Sequence, residues 1–198
     1  MARGRPGWAF GFADEVWFSR LAQPALHAWA APGESLRLAV HAADRDEPEP
    51  KALACYGLWL PGPGRMLLRF AAGRPVSDAT CAFLAWVAER LAAAGMQVLA
   101  LVWDNAPWHV SREVRAWITA HNRRVKAAGT GCRLLVCRLL VCRLPSKSPW
   151  LNPIEPRWAH GKRAVAEPDR TLTGQELRQR LCDHYRCPLV EPLAQQAA

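Results

Sequence analysis

The sequence predicts an α/β fold, a mixed sheet flanked by helices, and three observations predict it. Aromatic and aliphatic runs dominate the first 70 residues and read as strands. From about residue 77 onward, helical spacing alternates with short apolar runs. One of those runs, VLALVW at 98–103, is continuously apolar, as in a strand covered on both faces. Three strands followed by alternating helices and strands expect helices on both sides of the sheet. The 198 residues suit one domain, long enough to bury a core without disulfide staples.

In chain order, WAFGFADEVWF (8–18) is the first strand, interrupted by the carboxylates Asp14 and Glu15. Residues 21–50 are irregular, and the acidic, proline-containing DRDEPEPK (44–51) reads as an exposed loop. ALACYGLWL (52–60) and RMLLRF (65–70) are joined by Pro-Gly-Pro-Gly and predict a hairpin. Ser77 and Asp78 are candidate caps for a helix to about Ala94, with Phe83, Leu84, Val87 and Leu91 at helical spacing and Gly95 ending it. The buried strand 98–103 stops at Asp104. Ser111 caps a helix over 112–128, closed by Gly129. Residues 132–145 read CRLLV-CRLLV-CRLP, a five-residue unit duplicated within a strand. Five inserted residues swap the faces of everything on one side of the insertion. The copy nearest Pro145 is expected to keep the strand register, with the additional residues extending or looping out near 130–137. Asn152-Pro153-Ile154-Glu155 predicts a helix start, with Asn at N-cap, Pro at N1 and Glu at N3, running to about Val165. A last helix over about 173–186 follows Thr173, and 187–198 is expected to fray.

The net charge of +9 is unevenly spread. Residues 1–110 hold ten Lys/Arg against ten Asp/Glu, and residues 111–198 hold sixteen against seven. A basic C-terminal half suits a polyanion, because each neutralised phosphate releases condensed counterions; a solvated basic face is the competing reading. The seven Cys contain no Cys-x-x-Cys pair, so neither a disulfide framework nor a zinc ribbon is indicated. Cys182 and Cys187 flank Asp183 and His184, a weak metal pattern; buried reduced thiols are the better expectation. No signal peptide is evident, and no run approaches the roughly 18 apolar residues of a membrane span.

Three carboxylates stand out by position. Asp14 lies inside the first strand, Asp104 at the C-terminal end of a buried strand, and Glu155 in the first turn of a helix. Converging carboxylates repel one another unless a cation neutralises them, and hard divalent ions take oxygen ligands. Two such ions roughly 4 Å apart serve phosphodiester chemistry. Each residue also has a plain structural reading. Asp104 would cap the turn of Asp-Asn-Ala-Pro, Glu155 would complete a capping box, and Asp14 would pair with an arginine. Adjacent strand residues point to opposite faces, so only one of Asp14 and Glu15 is expected to face a metal, and Asp14 is the choice.

DEVWFSR (14–20), WDNAPWH (103–109) and LPSKSPWLNPIEPRW (144–158) resemble, in order, the three signature blocks of mariner-like DDE transposases of the bacterial insertion-sequence branch. The third block is the most specific, and the resemblance covers roughly 8–190. It implies a ribonuclease-H-like fold and a divalent-metal-dependent enzyme that cuts element ends and joins the freed 3′-hydroxyl to target DNA. It implies Asp14, Asp104 and Glu155 as the catalytic, metal-binding triad for Mg2+ or Mn2+, with two ions expected. Asn105 and His109 are expected beside the second carboxylate. Ser146, Lys147, Ser148, Arg157, Lys162 and Arg163 are the expected DNA contacts. Double-stranded DNA is the expected partner, with a homodimer and a separately encoded helix-turn-helix subunit as further ones, since the N-terminal helix-turn-helix region of full-length relatives is not found here. The implied location is cytoplasmic and nucleoid-associated. Two alternatives stay open: an inactive remnant that binds DNA non-specifically, and a ribonuclease-H-like nuclease without strand transfer.

Overall fold

A computed structural model describes residues 6–21, 32, 48–71, 73–138, 152–167 and 170–193. The strands are β1 (Trp8–Ser19), β2 (Ala52–Leu60), β3 (Arg65–Ala71), β4 (Val98–Trp103) and β5 (Arg133–Arg138). The helices are α1 (Ser77–Ala93), α2 (Arg112–Ala128), α3 (Glu155–Ala164) and α4 (Gly174–Tyr185). The sheet runs β3-β2-β1-β4-β5, with β1, β2 and β3 antiparallel in turn and β4 and β5 parallel to β1. This is the expected mixed sheet.

The period-two alternation of β1 assigns its residues to two cores. Ala13 packs into a core shared with Phe83, Leu84, Val87 and Leu91 of α1 and Val114 of α2. Val16 and Phe18 pack into a second core with Ile154, Trp158 of α3 and Leu177 and Leu181 of α4. Helices therefore cover both faces. All six residues of β4 are buried. Burying one large apolar side chain contributes about 1.5–3 kcal/mol, so this strand tolerates no charge until it leaves the sheet, which it does at Asp104.

The helix ends follow their caps, with two differences from expectation. Ser111 accepts from Val114 N and Gly129 closes α2 at φ 68°. Thr173 and Glu176 form a full capping box on α4. Ser77, however, does not cap α1; it donates its hydroxyl to Ser111 at 2.9 Å and ties the starts of α1 and α2 together. Asn152 caps a turn ahead of α3 rather than the helix itself: its side chain accepts from Ile154 N at 3.4 Å and its carbonyl from Glu155 N at 3.0 Å. Glu155 is thus the first helical residue, with Pro156 next.

Of the two outcomes expected for the duplicated strand, extension or a loop near 130–137, the structure shows extension over the described residues. Arg133–Arg138, which runs through the first copy into the first two residues of the second, pairs with Val98–Trp103 in unbroken parallel register. No residue loops out between 133 and 138. The physical reason is α2: the Asn122 amide donates to Leu134 O and accepts from Leu134 N, both at 2.8 Å, and His121 Nε2 meets Cys132 O at 2.8 Å. Asn122 thereby satisfies backbone groups on the open edge of β5 and fixes its register. The remaining repeat residues lie outside the described residues.

The segment after α4, expected to fray from 187, is held as far as Leu193. Leu193 N donates to Phe70 O at 2.7 Å, and Arg69 donates to Glu191 O at 2.9 Å. It shields the open edge of β3. Buried Arg20 anchors the exit of β1 by donating to Leu172 O at 2.6 Å and pairing with Glu49 at 3.0 Å.

Candidate active site

Asp14 and Glu15 leave β1 on opposite faces, as the strand period requires. Asp14 is buried on the α3 side, where Trp158 donates its indole N–H to Oδ2 at 2.9 Å. Gly57 is the partner of Asp14 across the β1–β2 pair. A Cβ at Gly57 would overlap the far edge of the Trp158 ring, so the indole lies directly on bare backbone beside the carboxylate.

Glu15 faces the α1–α2 side and is not idle there. His109 is buried between two carboxylates, with Nε2 at 2.8 Å from Glu15 and Nδ1 at 2.7 Å from Asp104. Its ring stacks on Trp103 at 4.4 Å, and Trp108 donates to the other oxygen of Glu15 at 3.2 Å. Burial opposes charging of His109, but the hydrogen bonds to Asp104 and Glu15 outweigh it and raise its pKa to about 9. As an imidazolium it donates from both nitrogens. The bond from His109 in turn holds the Asp104 carboxyl below the usual carboxylate range. Asp104 also accepts from Ala106 N at 2.9 Å, so it does cap the turn after β4, with the carboxylate still exposed.

Glu155 opens α3, and the same helix carries Trp158 one turn later onto Asp14. The electrostatics show that the carboxylates share a field. Burial, then the charge of Glu155, push the Asp14 carboxyl up to about 7; the Trp158 N–H opposes this, and Glu15 and Asp104 add to the rise. Asp14 thus feels the charges of Glu155, Glu15 and Asp104, and carboxylate oxygens are the donor type that a hard divalent cation takes. Among the described residues, no three His, Cys, Asp or Glu side chains form a ready-made cage.

The other sequence candidates divide. Asn105 is exposed next to Asp104. Arg157 lies flat over the Trp59 ring, 3.9 Å from its centre, while Lys162 and Arg163 are exposed in the last turn of α3. Ser146, Lys147 and Ser148 lie outside the described residues. Cys182 and Cys187 are free thiols, with Cys182 Sγ directed to Pro188 O at 3.8 Å. A cavity of about 880 Å³ lies near the start of β1, lined by Trp8, Phe10, Leu60 and Met96, and contains none of these carboxylates. Sequence reasoning missed Trp158 and Gly57 as partners of Asp14. The only signal was that Trp158 closes the third block, and nothing local links it to residue 14.

Residues 10–178 match the family described as DDE superfamily endonuclease. The fold is similar to the catalytic domain of Mos1 mariner transposase, at 15% identity and TM-score 0.55, over 91% of this chain and 71% of that one. It is also similar to the Mos1 mariner paired-end complex with Mn, at 16% identity and TM-score 0.60, over 90% of this chain and 48% of that one. The Mos1 strand transfer complex matches at 15% identity and TM-score 0.61, over 91% and 48%. At these identities the likeness shows a shared ribonuclease-H-like fold. The chain spans about half the length of the transposase chains in those complexes. No curated protein sequence matches this one.

Proposed function

Because the chain belongs to the DDE superfamily endonucleases, we propose that it is the catalytic domain of a DNA transposase that cleaves element ends and transfers the strand to target DNA. The observation that carries this reading is Asp14 itself, held under Trp158 of the helix that Glu155 opens, where burial first and then the charges of Glu155, Glu15 and Asp104 raise its carboxyl. A protein holds such repulsion where a cation or developing positive charge is to be received.

Asp14, Asp104 and Glu155 are the proposed catalytic residues and would hold Mg2+ or Mn2+, with two ions the proposed number. When bound, the metal supplies Lewis-acid stabilisation of the attacking and leaving oxygens at the phosphodiester. Everything else falls to the chain's own side chains. Trp158 fixes one oxygen of Asp14 and leaves the other to the site. His109 orients Asp104 by its link to Glu15. Arg157, Lys162, Arg163 and, from the sequence, Ser146, Lys147 and Ser148 hold the DNA backbone by charge-assisted hydrogen bonds. Double-stranded DNA is the proposed partner, which puts the protein at the nucleoid in the cytoplasm. Among the described residues no helix is long and apolar enough to cross a membrane. A homodimer and a separate helix-turn-helix subunit complete the proposed assembly.

The experiment is Mg2+- or Mn2+-dependent nicking and joining of duplexes carrying the ends of the element that encodes this chain. Asp14→Asn, Asp104→Ala and Glu155→Gln each reduce both activities to background. Nicking without joining would make the chain a nuclease. Wild-type activity equal to that of Asp104→Ala would overturn the enzymatic reading in favour of a DNA-binding remnant.

A further inference from the structure

A second feature of the α3–α4 face is built from residues that the carboxylate chemistry does not use. A cavity of about 430 Å³ opens between the β2–β3 hairpin, α3 and the end of α4. Trp59, Arg157, His160, His184, Tyr185 and Arg186 line it. No Asp or Glu lines it, and among the described residues none of its four basic side chains is in an ion pair.

The walls are set by packing. Tyr185 donates its hydroxyl to Arg157 O at 2.6 Å, which fastens the end of α4 to α3. That approach needs Gly161, because a Cβ there would collide with the Tyr185 hydroxyl. Arg186 closes α4 in the left-handed conformation at φ 53°, which places it on the cavity rather than along the helix. Arg157 is held by stacking on Trp59. The stacked ring covers one face of the guanidinium and leaves its in-plane N–H groups for a planar or tetrahedral oxyanion. His184 is disfavoured as a cation by burial and then by the nearby His160.

The position is also informative. Trp59 and Gly57 share a face of β2, and Gly57 is the partner of Asp14. Two residues of strand separate them, about 7 Å. The basic cavity is therefore next to Asp14 on the same face of the sheet, and α3, which begins at Glu155, carries Arg157 into it.

We propose that this cavity is a phosphate-binding subsite that holds the backbone of the DNA strand beside the one being cut or joined at the carboxylates, with Arg157 and Arg186 as its charged contacts. The inference rests on the transposase reading for the identity of the polyanion. A nucleic-acid backbone is favoured over a free nucleotide because the Arg157 guanidinium already occupies the stacking position on Trp59 that a base would take.

The test is DNA binding by the full chain, followed by fluorescence anisotropy of a mixed-sequence duplex across a salt series. Arg157→Gln and Arg186→Gln each weaken binding about tenfold at low salt and reduce the slope of log affinity against log salt by about 0.9, as expected for one lost phosphate contact. Lys126→Gln, at the far end of α2, leaves both unchanged. Because Arg157→Gln also disturbs the Trp59 stack, side-chain histidine NMR of the unaltered protein gives a second measurement. DNA shifts the His160 and His184 signals and leaves His121 in place. Unchanged slopes in both variants together with unmoved His160 and His184 signals would overturn the subsite while leaving cleavage at the carboxylates intact. Shifts produced by inorganic phosphate but not by DNA would overturn it too, in favour of a small-anion pocket. Failure of the unaltered chain to bind any duplex would overturn both the subsite and the transposase reading.

Discussion

The indole N–H of Trp158 is donated to Oδ2 of Asp14 over 2.9 Å, between residues 144 positions apart in the chain. Their contact is possible because Gly57 leaves room for the ring against β2. Trp158→Phe keeps most of the packing and removes the donor, so it lowers unfolding free energy by about 1–3 kcal/mol. Gly57→Ala forces the ring off the strand and costs about the same by overpacking. Urea denaturation at fixed metal concentration checks both, with unchanged m-values. Full stability in Gly57→Ala would mean that the ring does not sit on the strand as described.

His109 sits between Glu15 and Asp104 with its side chain 1% exposed and Glu15 8% exposed. His109→Ala leaves the buried Glu15 carboxylate with only the Trp108 N–H and costs about 3 kcal/mol. Glu15→Gln retains an acceptor for His109 and costs less. A double-mutant cycle between the two yields a coupling of about 1 kcal/mol or more. Strict additivity would show that the pair acts independently.

Divalent cations stabilise the protein if the carboxylates receive them. At ten times the dissociation constant of Mg2+ the gain is about 1.4 kcal/mol. Differential scanning calorimetry therefore shows a melting temperature that rises with Mg2+ or Mn2+ and falls back with EDTA. Asp104→Asn abolishes the rise. Asp14→Asn removes one of the mutually repelling groups, so the metal-free variant melts higher than the metal-free wild type. A melting temperature indifferent to both cations would count against the metal assignment.

The start of α4 carries the clearest pH dependence outside the site. Glu176 is held down to about 2 by its hydrogen bonds from Arg170 first and then from the Thr173 backbone. A carboxylate with a depressed folded pKa contributes stability that is present above its unfolded pKa, near 4.5, and is lost as pH falls toward 2. Wild type therefore melts above Glu176→Gln at pH 6, and the difference shrinks steadily as pH falls toward 2. Added salt shrinks it at every pH, because the group is exposed. An equal gap at pH 6 and pH 2 would contradict the capping role.

How much was legible in the sequence depended on the range of the interaction. The apolar run at 98–103 read as a buried strand ending at Asp104, and Ser111, Gly129 and Thr173 read as helix ends, because each depends on neighbours within a few residues. The period of β1 placed Asp14 and Glu15 on opposite faces for the same reason. Ser77 was misread because a distant hydroxyl, Ser111, competes for it. Whether the duplicated strand extends or loops out could not be read from the repeat, because Asn122 on α2 holds Leu134 at both backbone groups.

The sequence by itself determined the alternation of strands and helices and the residue types able to take a divalent cation. Periodicity, caps and charge are local properties of the chain. Only the tertiary structure decided that Trp158 holds Asp14, that His109 links Asp104 to Glu15, and that Arg157 and Arg186 face one cavity. Those relationships join residues from separate elements, and packing across two faces of one sheet is what brings them within hydrogen-bonding reach.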